Sequence, residues 1–277
     1  MKIQARELAL DTFIYVLIVT MAAVCLVPYI WVFFASLKGN TELFQHPFNL
    51  PRKWLWDNYP KAWTVGKFGH HYVNTIVVTA LSVAVLVPAA VFAAFPFAKM
   101  DFYGKKLLLY IVLFGLIIPF QAYMISLYYT LRDLKFLNTY FAMIFPLVAV
   151  NIPFGVFYMR AFLLGLPSDL LDAARVDGAT ELQTIIRIVI PMAKSAVTSL
   201  GIFEAVLAWN AFMIPLLYVH KAKLRPITLG LMYFRGEYTT AYDLSTAGAI
   251  IVSLPLIVLF LVFRRGFVRG LAGGAFK

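Results

Sequence analysis

The sequence is poor in charge. Asp, Glu, Lys and Arg make up 13% of its 277 residues, against 62% hydrophobic, whereas a soluble domain carries roughly 25% charged and 45–50% apolar residues. A water-soluble globule of this length could not bury so many apolar side chains, so a soluble enzyme, a disordered tail and a coiled coil are excluded. Cysteine is nearly absent. With Cys25 alone, no intrachain disulfide and no cysteine-based metal cluster can form. Acidic residues are the scarcer charge, 13 against 24 basic, for a formal +11. The basic residues fall in short loops between apolar runs, where anionic headgroups and membrane orientation account for them, so membrane lipid rather than nucleic acid is the expected partner. The sequence has no His-Glu-x-x-His and no Gly-x-Ser-x-Gly. It also lacks a Walker A loop, since Gly104-Lys105-Lys106 has neither the upstream glycine nor the following Ser/Thr. No catalytic residue and no metal ligand is expected, and ATP hydrolysis by that chemistry would have to come from another chain.

What is present is long apolar sequence, with a mean hydropathy of +0.83. Six stretches are long enough to cross a bilayer, which takes about 20 residues: Leu10–Phe34, Val73–Phe97, Leu107–Leu131, Thr139–Arg160, Ala196–Tyr218 and Leu244–Phe263. The first follows Lys2 and Arg6 but is too long for a secretory signal and has no small-x-small cleavage site after it. Prolines such as Pro28, Pro88, Pro119, Pro146, Pro153, Pro215 and Pro255 lie inside these stretches. Membrane helices tolerate them where neighbours re-satisfy the freed backbone groups, which argues for a packed bundle. The expectation is an all-α, polytopic membrane helix bundle of six transmembrane helices, residues 1–277 forming one transmembrane domain. Six crossings put both termini on one side. With the N-terminus inside, 13 of the 24 basic residues are inside, a weak bias, and the cluster Arg264, Arg265 and Arg269 beside the last stretch favours a cytoplasmic C-terminus.

The loop between the fourth and fifth stretches, about 161–195, is the most informative. After Pro167, Ser168 or Asp169 can cap a short helix with Asp172 in its first turn, and Gly178 ends it. Thr180-Glu-Leu-Gln183 has the pattern of a capping box opening a second helix. Leu182, Ile185, Ile186 and Val189 recur at helical spacing as one apolar face, and Pro191 ends the helix. Ala173, Ala174 and Ala179 leave the backbone around Gly178 nearly bare. Two readings stay open on the residues alone: a knob for another protein's groove, or an amphipathic loop on the membrane surface.

Asp172-Ala-Ala-x-x-Asp-Gly-Ala179, followed by Ile188 and Pro191, resembles the "EAA" loop of ABC-importer permeases. In particular it is similar to the smaller permease of the carbohydrate-uptake subfamily, the maltose and glycerol-3-phosphate type. The resemblance extends over nearly the whole chain, through Asn74-Thr75, Phe97-Ala-Lys-x-x-Phe102-x-Gly-Lys105, Asn138-Thr139, Trp209-Asn210 and Arg269-Gly-Leu-x-x-Gly-x-x-Lys277. Two departures stand out: Asp172 where the family usually has Glu, and Phe95-Pro96 where an aromatic and a small residue are usual. The resemblance implies a cytoplasmic coupling helix in which Asp172, Ala173, Ala174, Asp177, Gly178 and Ala179 dock on an ATP-binding subunit. It also implies a homologous second permease, two ATP-binding cassette subunits holding ATP and Mg, and an extracytoplasmic solute-binding protein. The location implied is a prokaryotic cell (inner) membrane, with both termini cytoplasmic, and the solute implied is a sugar or sugar derivative.

Glu204 is the one side chain of charged type well inside a stretch, and Asn151, Asn210 and Gln121 are other polar groups at depth. With Trp209 they read either as a solute path or as interhelical hydrogen bonding. A self-contained proton-coupled transporter using Glu204 is the alternative function. His70-His71 lacks metal-ligand spacing and reads as solvated. The segment His220–Asp243 would, by resemblance, contact the solute-binding protein. Gly266-x-x-x-Gly270-x-x-x-Gly274 reads as a flexible tail.

Overall fold

The computed structural model describes residues 2–236 and 240–273. Gly274 and Lys277 of the tail pattern lie outside the described residues, as do the side chains of Lys2, Arg6, Arg264, Arg265 and Arg269. Among the described residues the chain is all-helical; it has no strand, only an isolated bridge between Arg235 and Thr240. In order, the helices are α1 (Lys2–Ala35), α2 (Asn40–Gln45), α3 (Asn58–Val65), α4 (Phe68–Lys99), α5 (Lys105–Phe114), α6 (Phe120–Asp133), α7 (Phe141–Leu164) and α8 (Asp169–Val176). Then follow α9 (Glu181–Met192), α10 (Lys194–Trp209), α11 (Met213–Tyr218), the short helical turns Ala222–Leu224, Ile227–Gly230 and Leu231–Phe234, and the long α12 (Tyr242–Gly273).

Four helical segments are long and apolar enough to cross a membrane: Leu10–Ala35, Phe68–Lys99, Phe141–Leu164 and Tyr242–Phe263; the pair α9 and α10, bent by 83°, makes a fifth if taken as one. The third and fifth expected stretches are therefore broken rather than continuous. The third divides into α5 and α6 around Gly115–Pro119. Pro119 donates no backbone hydrogen bond and pushes Ile118 toward extended backbone. At Gly115 a Cβ would stand 2.8 Å from Pro153 Cγ, so a side chain cannot fit where the chain turns past α7. The fifth ends at Trp209, not Tyr218. Asn210 caps α10 by returning its own Nδ2 to Val206 O at 2.9 Å. Pro215 cannot supply the N–H that Ala211 O would receive in a helix, and the Thr228 hydroxyl donates to that carbonyl instead, at 2.7 Å.

The chain packs as two units, one of residues up to Phe68 with Leu231–Leu254, the other Gly69–Gly230 with the chain from Pro255 onward. In the first, Lys38 is wholly buried and its Nζ donates to the carbonyls of His46 and Pro47 at 2.8 and 3.2 Å. Asn58 Nδ2 donates to Ser36 O and Lys38 O, both at 2.9 Å. Gly248 admits the rings of Phe234 and Phe68 where a Cβ would clash at 2.7 Å with the former. The glycine-spaced end of the chain is helical through Gly273 rather than a flexible tail.

In the second unit, α4, α7 and α10 bury a common core that includes Leu86, Phe95, Val156, Met159, Leu163 and Leu200. Its two ends are held by polar groups. At one, Lys99 Nζ donates to Leu166 O at 2.6 Å and Arg160 Nε to Phe97 O at 3.2 Å. At the other, Asn74 Nδ2 donates to the carbonyls of Lys223 and Arg225 at 2.9 and 3.0 Å, Tyr140 donates to Asn74 Oδ1 at 2.7 Å, and Thr75 Oγ1 accepts from Ile227 N at 2.8 Å. Asn138, at φ 60°, accepts from His220 N and Lys221 N at 2.7 and 2.9 Å. His71 is not solvated, whereas His70 is exposed. Their rings hydrogen-bond the carbonyls of Lys223 and Arg225, and His71 is buried.

Candidate functional site

The helix–turn–helix of α8 and α9 sits where α7 ends and α10 begins, and local chemistry fixes its shape. Ser168 occupies the N-cap position with helical dihedrals, and its hydroxyl does not cap. The other end is fully closed. Gly178 takes φ +78°, Gly178 N bonds Arg175 O at 3.0 Å, and Ala179 N bonds Ala174 O at 2.9 Å. This is the paired 5→2 and 6→1 bonding of a Schellman stop, which needs a left-handed residue that glycine supplies without strain.

Immediately afterwards the capping box forms as expected. Gln183 N donates to Thr180 Oγ1 at 3.3 Å and Thr180 N donates to Gln183 Oε1 at 3.0 Å. Pro191 does not end α9, which runs to Met192. The turn Ile185–Val189 is π-helical, with Ile190 N bonded five residues back to Ile185 O. That wider register accommodates the proline ring, and the chain bends at Ala193 instead.

Arg175 joins the two helices, a role its sequence position did not reveal. Its Nη1 reaches Asp172 Oδ1 and its Nε reaches Glu181 Oε1, both at 3.0 Å. The hydrogen bond and charge of Glu181, followed by Asp172, raise the guanidinium's pKa above its ordinary value. The only sequence hint was a basic residue three after one acid and six before another.

Burial sorts the expected site residues into two faces. Leu171, Ala174, Ile185 and Val189 are buried, and three of them join the core of α4 and α7. Leu170, Ala173 and Val176, spaced by three, form an exposed stripe on α8, with Val176 88% exposed. Leu182 and Ile186 are exposed on α9, so the expected single apolar face is split between core and outside. Asp172, Asp177 and Gly178 are exposed at the rim and tip, and Ala179 is half-buried. A Cβ on Gly178 would meet nothing within 4 Å. The result is a rigid knob with an apolar stripe, a charged rim and a bare tip, a composition suited to a protein groove.

The polar residues at depth do not form one cluster. Glu204 is buried and hydrogen-bonded to Asn151 of α7. Trp209 is buried, with its ring 5.8 Å from that of Tyr72. Asn210 is exposed and bonded within its own helix, and Gln121 is exposed at the start of α6. No group of three or more His, Cys, Asp or Glu suited to a metal ion occurs among the described residues.

Residues 86–272 match the family described as "Binding-protein-dependent transport system inner membrane component". A relative in Bacillus subtilis, "Probable ABC transporter permease protein YurM", is 34% identical over 250 residues, covering 90% of this chain and 83% of the relative. The "Arabinooligosaccharides transport system permease protein AraQ" of Halalkalibacterium halodurans is 30% identical, with 92% of each chain covered. The "Diacetylchitobiose uptake system permease protein NgcG" of Streptomyces coelicolor is 27% identical, covering 95% of this chain and 88% of its own length. The fold is similar to that in the crystal structure of a bacterial ABC transporter involved in the import of the acidic polysaccharide alginate, with a TM-score of 0.75 at 24% identity, over 91% of this chain and 94% of that one. The chain thus belongs to the family of binding-protein-dependent transport system inner membrane components, multi-pass membrane subunits of ABC importers.

Proposed function

We propose that this chain is one permease of an ATP-driven importer for a sugar or sugar derivative, with α8 and α9 as the element that couples it to an ATPase. The observation that carries the reading is the exposed stripe Leu170–Ala173–Val176 on a knob whose opposite face is locked into the core of the same bundle. A push on the knob is delivered to α4, α7 and α10 without slack. In this reading Asp172, Ala173, Asp177, Gly178 and Ala179 face the ATPase, while Ala174 and Leu171 transmit its motion inward. The chain crosses the membrane six times, α5 with α6 and α10 with α11 forming the two interrupted crossings. Both termini and the knob are cytoplasmic.

A homologous permease completes the path, two ATP-binding cassette subunits bind ATP and Mg, and an extracytoplasmic solute-binding protein delivers the solute. The relatives named for arabino-oligosaccharides and diacetylchitobiose support the carbohydrate class. The alginate transporter whose fold this chain shares has been crystallised with a pentasaccharide-bound periplasmic protein.

The test is mild-detergent capture of the tagged chain from its host, followed by reconstitution. Retention of an ATPase and a second permease, with ATP-dependent sugar uptake, is the expected result. A chain that purifies alone and transports without ATP overturns it. Uptake abolished by a protonophore and indifferent to ATP depletion would favour the proton-coupled alternative that uses Glu204.

A further inference from the structure

Two helix interruptions open onto one cavity. A space of about 210 Å³ is lined by Phe120 at the start of α6, by Leu147 and Asn151 of α7, and by Phe212, Met213 and Ile214 at the break between α10 and α11. Asn151 is the only polar side chain in that lining, and it lies near the middle of the 24-residue α7, hence near mid-membrane in the reading above. The volume is below the roughly 300–1,000 Å³ of sites for drug-sized ligands, so it suits a single ring rather than a whole chain.

Behind Asn151 stands Glu204. It is 1% exposed, it is hydrogen-bonded to Asn151, and its Oε1 has no hydrogen-bond partner among the described residues. Simple joining of α7 to α10 does not call for a carboxyl group. A glutamine or a serine would pair with an asparagine at less desolvation cost and leave no acceptor bare. What a carboxyl adds is control of the amide. A carboxylate can only accept, so it engages Asn151 through the amide N–H and leaves the amide oxygen available to a ligand in the cavity that Asn151 lines.

We infer that this cavity is a subsite for one sugar ring, in which Asn151 hydrogen-bonds a ring hydroxyl, Phe212 and Phe120 receive the apolar ring face, and Glu204 is a positioning residue that orients Asn151. The inference rests on the importer reading and narrows its solute contacts to Asn151. Trp209, Asn210 and Gln121 take no part in this subsite.

The first test needs no known solute. On a Cys25→Ser background, Asn151→Cys is compared with Ala149→Cys, which faces the adjacent apolar cavity, using a charged, water-soluble methanethiosulfonate on the reconstituted importer. A thiol in a water-filled sugar site is labelled about ten-fold faster or more than one facing lipid. Equal rates overturn the subsite, because the cavity is then dry or filled by an acyl chain. The second test uses arabinotriose, diacetylchitobiose and raffinose as probes. For any that is transported, Asn151→Ala raises the uptake KM about ten-fold with the maximal rate within about two-fold. Glu204→Ala does the same, the double variant is no worse, and Glu204→Gln, whose own amide can pair with Asn151 in either sense, recovers only part of the affinity. A fall in maximal rate with KM unchanged in all of them shows an interhelical tie only, and overturns the proposal. Failure of the importer reading has a different mark: the unaltered complex shows no ATP-dependent uptake, while the labelling rates still report whether the cavity is wet.

Discussion

Substitution of Gly178 separates the cost of bending the chain from the cost of filling a partner's groove. The residue sits at φ +78° and a Cβ there meets nothing within 4 Å, so within this chain any side chain suffers only the left-handed backbone. For a residue other than glycine that strain is about 1–2 kcal/mol, or five- to thirty-fold in the population of the closed turn. Asparagine tolerates the left-handed region and should stay within about three-fold of the natural residue. Alanine pays the strain. Tryptophan pays the same strain and adds bulk that points away from its own protein. If an ATPase groove receives the tip, Gly178→Trp loses at least about ten-fold more ATPase retention than Gly178→Ala. The assay is quantified co-purification of the ATPase, alongside ATP-dependent uptake in vesicles. Equal losses for alanine and tryptophan would refute insertion of the tip, and a loss with asparagine equal to that with alanine would refute the backbone argument.

Other predictions follow from the same geometry. Thr180→Ala removes one half of the capping box and should destabilise the knob by about 1 kcal/mol, read as faster amide exchange in α9. Arg175→Ala should act more weakly, about 0.2–1 kcal/mol per exposed ion pair and less in high salt. Because the Arg175 pKa is raised, its contribution is complete below the ordinary guanidinium range and is lost only as pH rises through it. The knob should therefore show no Arg175-linked change between pH 6 and 9, roughly the range of vesicle assays; a transition there that Arg175→Ala removes would contradict this. Asn74→Ala removes one of the two donors on each of the carbonyls of Lys223 and Arg225, leaving His70 and His71 on them, at a cost of about 0.5–1.5 kcal/mol per hydrogen bond, and should speed tryptic cleavage at Lys221 and Lys223 about three-fold or more. Gly248→Ala forces a Cβ to within 2.7 Å of Phe234, and overpacking of about 1–3 kcal/mol should lower the melting temperature in detergent.

The knob was legible because its determinants are local. A Thr and a Gln three residues apart, or a glycine just past the end of a short helix, carry their hydrogen bonds within one window of sequence, and Thr180, Gln183 and Gly178 all behave as that window implies, whereas Ser168 does not cap. The breaks in the third and fifth apolar stretches were not legible, since hydropathy over Leu107–Leu131 averages across Gly115 and Pro119 and registers only that the segment is apolar. Pro191 misled for a related reason: the π turn that absorbs it depends on how α9 packs, not on the proline itself. His71 misled because its partner is a backbone carbonyl 154 positions away, and a carbonyl has no sequence signature. Arg175 was hidden among ordinary surface charges until the turn brought Glu181 to it.

The Asn74 and Asn138 tethers carry a mechanical consequence. Residues 218–227 are pinned at Tyr218, His220, Lys221, Lys223, Arg225 and Ile227 by groups at the outset of α4 and just before α7. A segment fastened at so many points has no independent travel; it is a bracket carried by whichever way those helices tilt. Spin labels at Ala222 and His70 should therefore keep one narrow distance distribution through the whole ATP cycle, even as labels at Ala222 and Val176, at opposite ends of the same lever, record its swing.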